Sequence, residues 1–318
     1  MNTWQFIQNK LSASIDVILL YVLESKGSSP GRQGFKMAVA ADDDFFGTIG
    51  GGIMEHKFVE MAKSRLRENA GLTGLYKQVH DKTPGKDQSG MICSGEQTIF
   101  LYRLQQRDIE HIKKLISSLQ QNLNGSLQLT ERNISFSTKI PKQDFLFEQK
   151  DEESFLLIEK TGYKNRLHII GGGHCALAFS KLMSGMDFYI AVYDERKGLN
   201  TVEQNIYAHE KKIVSSYSEL DKIIEEGENV YVAIMTFGYR TDDLALRPLL
   251  KKQFKYIGVL GSKKKMEKMF AAYHAENIDE KLWKHIHSPI GMQIKSQTTA
   301  EIAISIAAEI IAVKNKDQ

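Results

Sequence analysis

The sequence predicts an α/β fold in two domains: an N-terminal α+β domain over residues 1–164, and a C-terminal domain over residues 165–318 built on a parallel sheet. Three observations predict it. The chain has 318 residues, about twice the usual single-domain length. Its second half alternates apolar, β-branched runs with helical segments, the sequence form of parallel strands joined by helices. Its first half opens instead on short strands, two of them joined by a hairpin.

Taken in order, "DVILLYVLES" and "FKMAVAADDDFFGTIGGG" read as three strands, with Asp42 to Asp44 at the hairpin tip. From Ile53 the period changes: Met54, Phe58, Met61, Ala62 and Leu66 recur at helical spacing, which sets Gly52 at a loop-to-helix junction. "TPGKDQSG" is a breaker-rich loop and "QTIFLYRL" a strand. A helix over Asp108 to Gln121 and strand-like runs such as "SFLLIEK" lead to a domain boundary near Lys164. "LHIIGGG", "DFYIAVYDE", "ENVYVAIMT" and "FKYIGVLGS" then supply parallel strands, and such a sheet binds ligand beyond the carboxyl ends of its strands. The last helix begins in "TTAE", where Thr298 and Glu301 have capping-box spacing, and buries a face made by Ile302, Ala303, Ile306, Ala307 and Ile310.

Composition narrows the function classes. Apolar residues make up 42% of the chain, enough for a core without disulfide staples. Two cysteines, Cys93 and Cys175, without CxxC spacing fit a reduced, cytoplasmic protein and exclude a Cys-rich zinc site. A net charge of +3 implies neither a nucleic-acid surface nor a polybasic membrane anchor. "MNTWQFIQNK" lacks the marks of a signal peptide, and the longest apolar run, "VILLYVL", is too short to cross a bilayer.

Two glycine clusters compete for a ligand. Gly171, Gly173 and Ala176 fit G-x-G-x-x-A between a strand and a helix, and Asp194 ends the next strand 21 residues after Gly173. That is Rossmann geometry: the loop serves a dinucleotide such as NAD(P), with Asp194 on a ribose hydroxyl, or another phosphate-bearing ligand, or helix packing alone. His174 is the ionisable imidazole of that loop. Cys175 beside it is either a thiolate favoured by the helix dipole or a small buried thiol. The other cluster, Gly50, Gly51 and Gly52, exposes backbone N–H groups at a helix start and suits an anion. Upstream of it, Ser28, Ser29, Arg32 and Lys36 either add donors and charge or form a Pro-Gly turn with solvated charges. Ser262 and Lys263 in "GSKKK" lie at a strand end, where the lysines either meet ligand phosphate or form a solvated helix start. With Asp194 and the Gly171 loop they are expected to converge on one crevice.

The blocks "GSSPGRQGFKMAV", "GTIGGGIMEH", "MICSGEQTIFLY", "IIGGGHCA", "YVAIMTFGYRTDDLAL", "YIGVLGSKKK" and "SPIGMQIKSQTTAEIAISIAAEI" resemble, in order, those of the XdhC/CoxI family of molybdenum hydroxylase maturation factors. The resemblance implies an XdhC/CoxI-type N-terminal domain and a Rossmann-like C-terminal domain. It further implies an accessory protein rather than an enzyme, which binds the molybdenum cofactor (molybdopterin), protects it during sulfuration by a cysteine desulfurase, and delivers it to an apo xanthine dehydrogenase or related hydroxylase. Family likeness and the final helix also imply a homodimer. Carried over by position, the family's GSSP-x-x-x-G-x-K block falls on Gly27, Ser28, Ser29, Pro30, Gly34 and Lys36, its G-T-I-G-G-G block on Gly47 to Gly52 with Glu55 three residues on, and the cysteine of its M-x-C-G-G block on Cys93. These blocks supply the candidate cofactor-binding residues, with Cys93 either a contact to the soft end of the cofactor or an ordinary thiol at a strand start. Ser94 stands where the family has glycine. Phe237 stands where it has histidine, although Thr236, Gly238 and Asp242 still match. An NAD(P)-dependent oxidoreductase using the Rossmann half is the competing function, and a scaffold with purely structural glycines is a third.

Overall fold

The computed structural model describes residues 2–68, 73–80, 95–151 and 154–316, and the chain divides into two compact units, Met1–Gly162 and Tyr163–Gln318. Unit 1 contains α1 (Thr3–Ser12), β1 (Val17–Gly27), β2 (Lys36–Ala40), β3 (Phe45–Gly47), α2 (Gly52–Arg67), β4 (Gly74–His80), β5 (Gly95–Arg103), α3 (Ile109–Gln120), β6 (Gly125–Thr130), β7 (Ile134–Ser137), β8 (Phe145–Gln149) and β9 (Phe155–Thr161). Among the described residues these strands form two antiparallel sheets, ordered β3-β2-β1-β5-β4 and β7-β6-β9-β8.

The unbroken apolar run of β1 reflects burial on both faces of the first sheet. Leu19, Tyr21 and Leu23 face α1, α3 and the second sheet, while Ile18, Leu20 and Val22 face Met54, Phe58, Val59 and Ala62 of α2. Two elements go beyond the sequence reading. The amphipathic α1 buries Trp4, Phe6, Ile7 and Leu11, and β4, rich in polar residues, pairs along β5 at the sheet edge.

Unit 2 contains β10 (Asn165–Ile170), α4 (His174–Met183), β11 (Phe188–Asp194), α5 (Asn200–Glu203), β12 (Glu210–Ile213), β13 (Gly227–Ile234), α6 (Tyr239–Leu246), β14 (Phe254–Val259), α7 (Lys263–Ala275) and α8 (Thr299–Lys314). The sheet is parallel and ordered β12-β11-β10-β13-β14, so the strand order reverses beside β10. One face packs on α4 and α8 and the other on α6 and α7, which is why the strands read as continuous apolar runs. β12, with the sequence "EKKI", is too short and charged to be found by pattern; it is an edge strand held by pairing with β11. The capping box of α8 is present, with Glu301 N donating to Thr298 Oγ1 at 3.2 Å and Thr298 N to Glu301 Oε2 at 3.0 Å. Its small apolar face (Ala303, Ile306, Ala307 and Ile310) is buried within the unit alongside α4 residues Ala176, Phe179 and Met183. Among the described residues no helix is long and apolar enough to cross a membrane.

Candidate functional site

In unit 1 the Gly27–Phe35 segment and the loop before α2 lie against each other. Buried Gln97 of β5 joins them: its Oε1 accepts from Gly31 N at 3.2 Å, and its Nε2 lies 3.5 Å from the Ile49 carbonyl and 3.0 Å from Met54 Sδ. The glycines here do different work. A Cβ on Gly50, at φ +127°, would stand 2.5 Å from Gly31 N, and one on Gly34, at φ +89°, would meet the Phe145 ring at 2.6 Å. At Gly51, φ +75°, a side chain would meet nothing within 4 Å.

The anion nest expected at Gly50–Gly52 holds an anion from the chain itself. Glu55 Oε2 accepts from Thr48 Oγ1 at 2.6 Å, Ile49 N at 2.9 Å and Gly51 N at 3.0 Å. Gly51 caps α2 with no side chain of its own, and Glu55, one turn into the helix, reaches back to supply the missing acceptor. Ser29 is buried and donates to the Gly31 carbonyl at 3.0 Å, whereas Ser28 and Arg32 are exposed, with Arg32 Nη1 on the Gly27 carbonyl at 3.1 Å. Lys36 is committed elsewhere: its Nζ lies 3.1 Å from both Glu159 oxygens, over the rings of Trp4 and Tyr21. Cys93 lies outside the described residues.

In unit 2 the fingerprint loop sits at the switch point. Gly171, at φ +102°, leaves no room for a side chain, since a Cβ would come within 2.5 Å of the Met235 carbonyl oxygen and 2.9 Å of Thr236 Cα. The loops after β10 and β13 therefore touch. Gly172 is closed off by Val202 and Thr201. Gly173, the N-cap of α4, is different: at φ −74° it has ordinary backbone geometry, and a Cβ there would meet nothing within 4 Å. Gly238, the N-cap of α6 at φ −172°, is open in the same way.

Asp194 ends β11 as expected, but its carboxylate is full. Oδ2 accepts from Gly172 N at 2.7 Å and Arg196 Nη2 at 2.8 Å, and Oδ1 accepts from Arg196 N at 2.8 Å and Arg196 Nε at 2.9 Å. Burial pushes its pKa up, but the Arg196 guanidinium and the two amides outweigh that and hold it below the usual carboxylate range. A carboxylate offers about four acceptor positions, so a ribose hydroxyl finds none free. The Arg196 guanidinium also lies 5.3 Å from the centre of the exposed Phe237 ring, which takes no part in proton transfer or ligation and instead offers a flat face. His174 is the exposed first residue of α4. Cys175 is half-buried against the sheet, and burial pushes its thiol pKa up, against the helix dipole.

Beyond the ends of β13 and β14 lies a cleft of about 840 Å³, lined by Phe237, Tyr239, Arg240, Ser262, Lys264 and Lys268 among others. Buried Asp242 holds its wall together. It accepts from Thr236 N at 3.1 Å, from Thr236 Oγ1, and from the ammonium of Lys265, and Thr236 Oγ1 also shares a hydrogen bond with Thr241 Oγ1 at 2.6 Å. Burial pushes the Asp242 pKa up in spite of Lys265. Ser262 lines the cleft and caps α7, accepting from Lys265 N at 3.3 Å. Lys263 is not among the lining residues. It turns outward to Glu267, at 4.0 Å, while Lys264 and Lys268, four apart on one helical face, line the cleft in its place. Lys264 belongs to the "GSKKK" lysines expected near a ligand phosphate; sequence reasoning missed Tyr239, Arg240 and Lys268, whose nearness to expected strand ends was the available signal. It also missed Gln97, which carries no local signal.

Comparison with known proteins bears on both units. Residues 11–75 match the family described as XdhC and CoxI, and residues 167–310 match the XdhC Rossmann domain. The uncharacterized protein YqeB of Escherichia coli (strain K12) is 25% identical over 298 residues, which are 92% of this chain and 43% of that protein. The chain thus spans less than half the length of this relative. A probable xanthine dehydrogenase subunit of Bacillus subtilis (strain 168) is 20% identical over 322 residues, covering 95% of this chain and 94% of that one. The crystal structure of a xanthine dehydrogenase from Bacillus halodurans matches with a TM-score of 0.72 at 22% identity, covering 100% of this chain and 97% of that one, a likeness of fold. With one family match in each unit, together about two thirds of its length, the chain belongs to the XdhC and CoxI family.

Proposed function

We propose that the protein is a maturation factor for a molybdenum hydroxylase of the xanthine dehydrogenase type: it binds the molybdenum cofactor, protects it while a cysteine desulfurase acts, and passes it to the apo-enzyme. The cargo brings a phosphate, a hydrogen-bonding pterin and a soft dithiolene-metal end. The observation that carries the reading is the pair of open glycine N-caps, Gly173 and Gly238, on adjoining loops at the switch point. Neither backbone strain nor internal packing requires glycine there, whereas close approach of a ligand phosphate to first-turn amides does. A carrier that holds its cargo by amides and hydroxyls can also release it. The saturated Asp194 argues against the competing dehydrogenase, because the ribose acceptor of that mode is already occupied.

The test is to purify the full chain from cofactor-replete cells and identify, by mass and by fluorescence after oxidation, what co-purifies. Molybdopterin in near-stoichiometric amounts, lost in Gly173→Val and Gly238→Val, is the expected result. A chain that retains no pterin, in a cell whose hydroxylase matures normally without it, refutes the proposal. Tight NAD(P)H binding with turnover would favour the oxidoreductase instead.

A further inference from the structure

We propose that the cleft between the N-termini of α6 and α7 is a binding site for a phosphate monoester carried on a planar heteroaromatic ring. The charge arrangement is the reason. α7 opens with Lys263, Lys264 and Lys265 and has no acidic residue in its first turn, although the helix macrodipole disfavours cations at that end. Two of the three are compensated, Lys263 by Glu267 and Lys265 by Asp242. Lys264 is not. Arg240 and Lys268 join it on the cleft wall, all three are exposed, and none has a carboxylate partner among the described residues. Three uncompensated cations and two positive helix ends on one concavity form a local electrostatic conflict that an anion bound there would relieve.

The cleft also specifies what the anion is attached to. Phe237 is 72% exposed, and Arg196 lies 5.3 Å from its ring centre. Tyr239 carries Lys268 Nζ at 5.5 Å from its ring centre. Apolar flat surface beside an anion cradle matches a ring stacked at one end and a phosphate held at the other. At about 840 Å³ the space suits a nucleotide-sized molecule. Two sources share this chemistry, a nucleoside monophosphate and a phosphorylated pterin; only the second rests on the maturation reading.

The experiment is calorimetric titration of the full chain with AMP, neopterin phosphate, adenosine, neopterin and inorganic phosphate. It is run on the wild type, K264A/K268A, F237A and the control K263A, each checked for fold by circular dichroism. At least one phosphorylated ring compound is expected to bind about tenfold or more tighter than either its unphosphorylated form or inorganic phosphate, with affinity falling as salt rises. K264A/K268A should lose about tenfold or more, F237A should weaken the ring compounds but not phosphate, and K263A should match wild type. Binding of AMP alone identifies a nucleotide as ligand; binding of neopterin phosphate alone identifies the pterin; both support the site. Equal affinity in the wild type and K264A/K268A, or no binding of either phosphorylated compound, overturns it. AMP binding by a chain that retains no molybdopterin leaves the cleft standing while the maturation reading falls.

Discussion

Two glycines of one fingerprint should respond in opposite ways to the same substitution. Gly171→Ala forces a Cβ onto a backbone at φ +102° and sets it 2.5 Å from the Met235 carbonyl oxygen and 2.7 Å from its carbon. Neither obstacle is a flexible side-chain tip, so the loops after β10 and β13 must separate. A non-glycine residue at such a φ costs about 1–3 kcal/mol, and overpacking costs about 1–3 kcal/mol more. The expected loss is therefore about 2–6 kcal/mol, or a fall in unit 2 melting temperature of about 5–20 °C for a domain of this size. Gly173→Ala adds a methyl to open space at φ −74°. The loss of a tolerated glycine N-cap and the reduced freedom of the unfolded chain nearly cancel, leaving stability within about 1 kcal/mol of wild type. Its effect should fall on ligand binding. Thermal unfolding by circular dichroism, paired with cofactor retention on each variant, separates the two. A Gly171→Ala protein as stable as wild type, or a Gly173→Ala protein as damaged as Gly171→Ala, would refute the reasoning.

Three further outcomes follow from the same geometry. Glu55→Ala removes the acceptor of three hydrogen bonds at the start of α2, and with water able to reach the half-buried loop the expected loss in unit 1 is about 2 kcal/mol, read by hydrogen exchange over Thr48–Gly51; unchanged protection would contradict it. His168 is buried beside Tyr193, and burial with the nearby Arg166 depresses its pKa to about 4 from 6.5. The unfolded chain therefore binds the extra proton across that interval, so unit 2 should lose about 3 kcal/mol as pH falls from 6.5 towards 4, and His168→Gln should flatten the urea-midpoint profile there. Cys93→Ser should reduce molybdopterin retention without changing the melting temperature if the thiolate meets the soft end of the cargo; full retention would remove Cys93 from the site.

Much of the architecture was legible because it is written in local periodicity. The β-branched runs, the helical spacing after Ile53 and the Thr298–Glu301 cap are each short-range patterns, and all appear where expected. Elements without a strong local pattern were not: β12 is four mostly charged residues that exist as a strand only through pairing with β11, and β4 is similarly held by β5. The motif blocks likewise pointed to the family. What sequence could not decide is how each motif residue is employed, because that depends on neighbours far away along the chain. Lys36 meets Glu159, 123 residues on, and Gly34 meets the ring of Phe145. Asp194 is filled by Arg196 and Gly172, and the anion that fits the first glycine nest turns out to be Glu55. The same holds for the glycines: identical letters in "GGG" divide into those closed by packing and those left open, a distinction of tertiary contact that no spacing encodes.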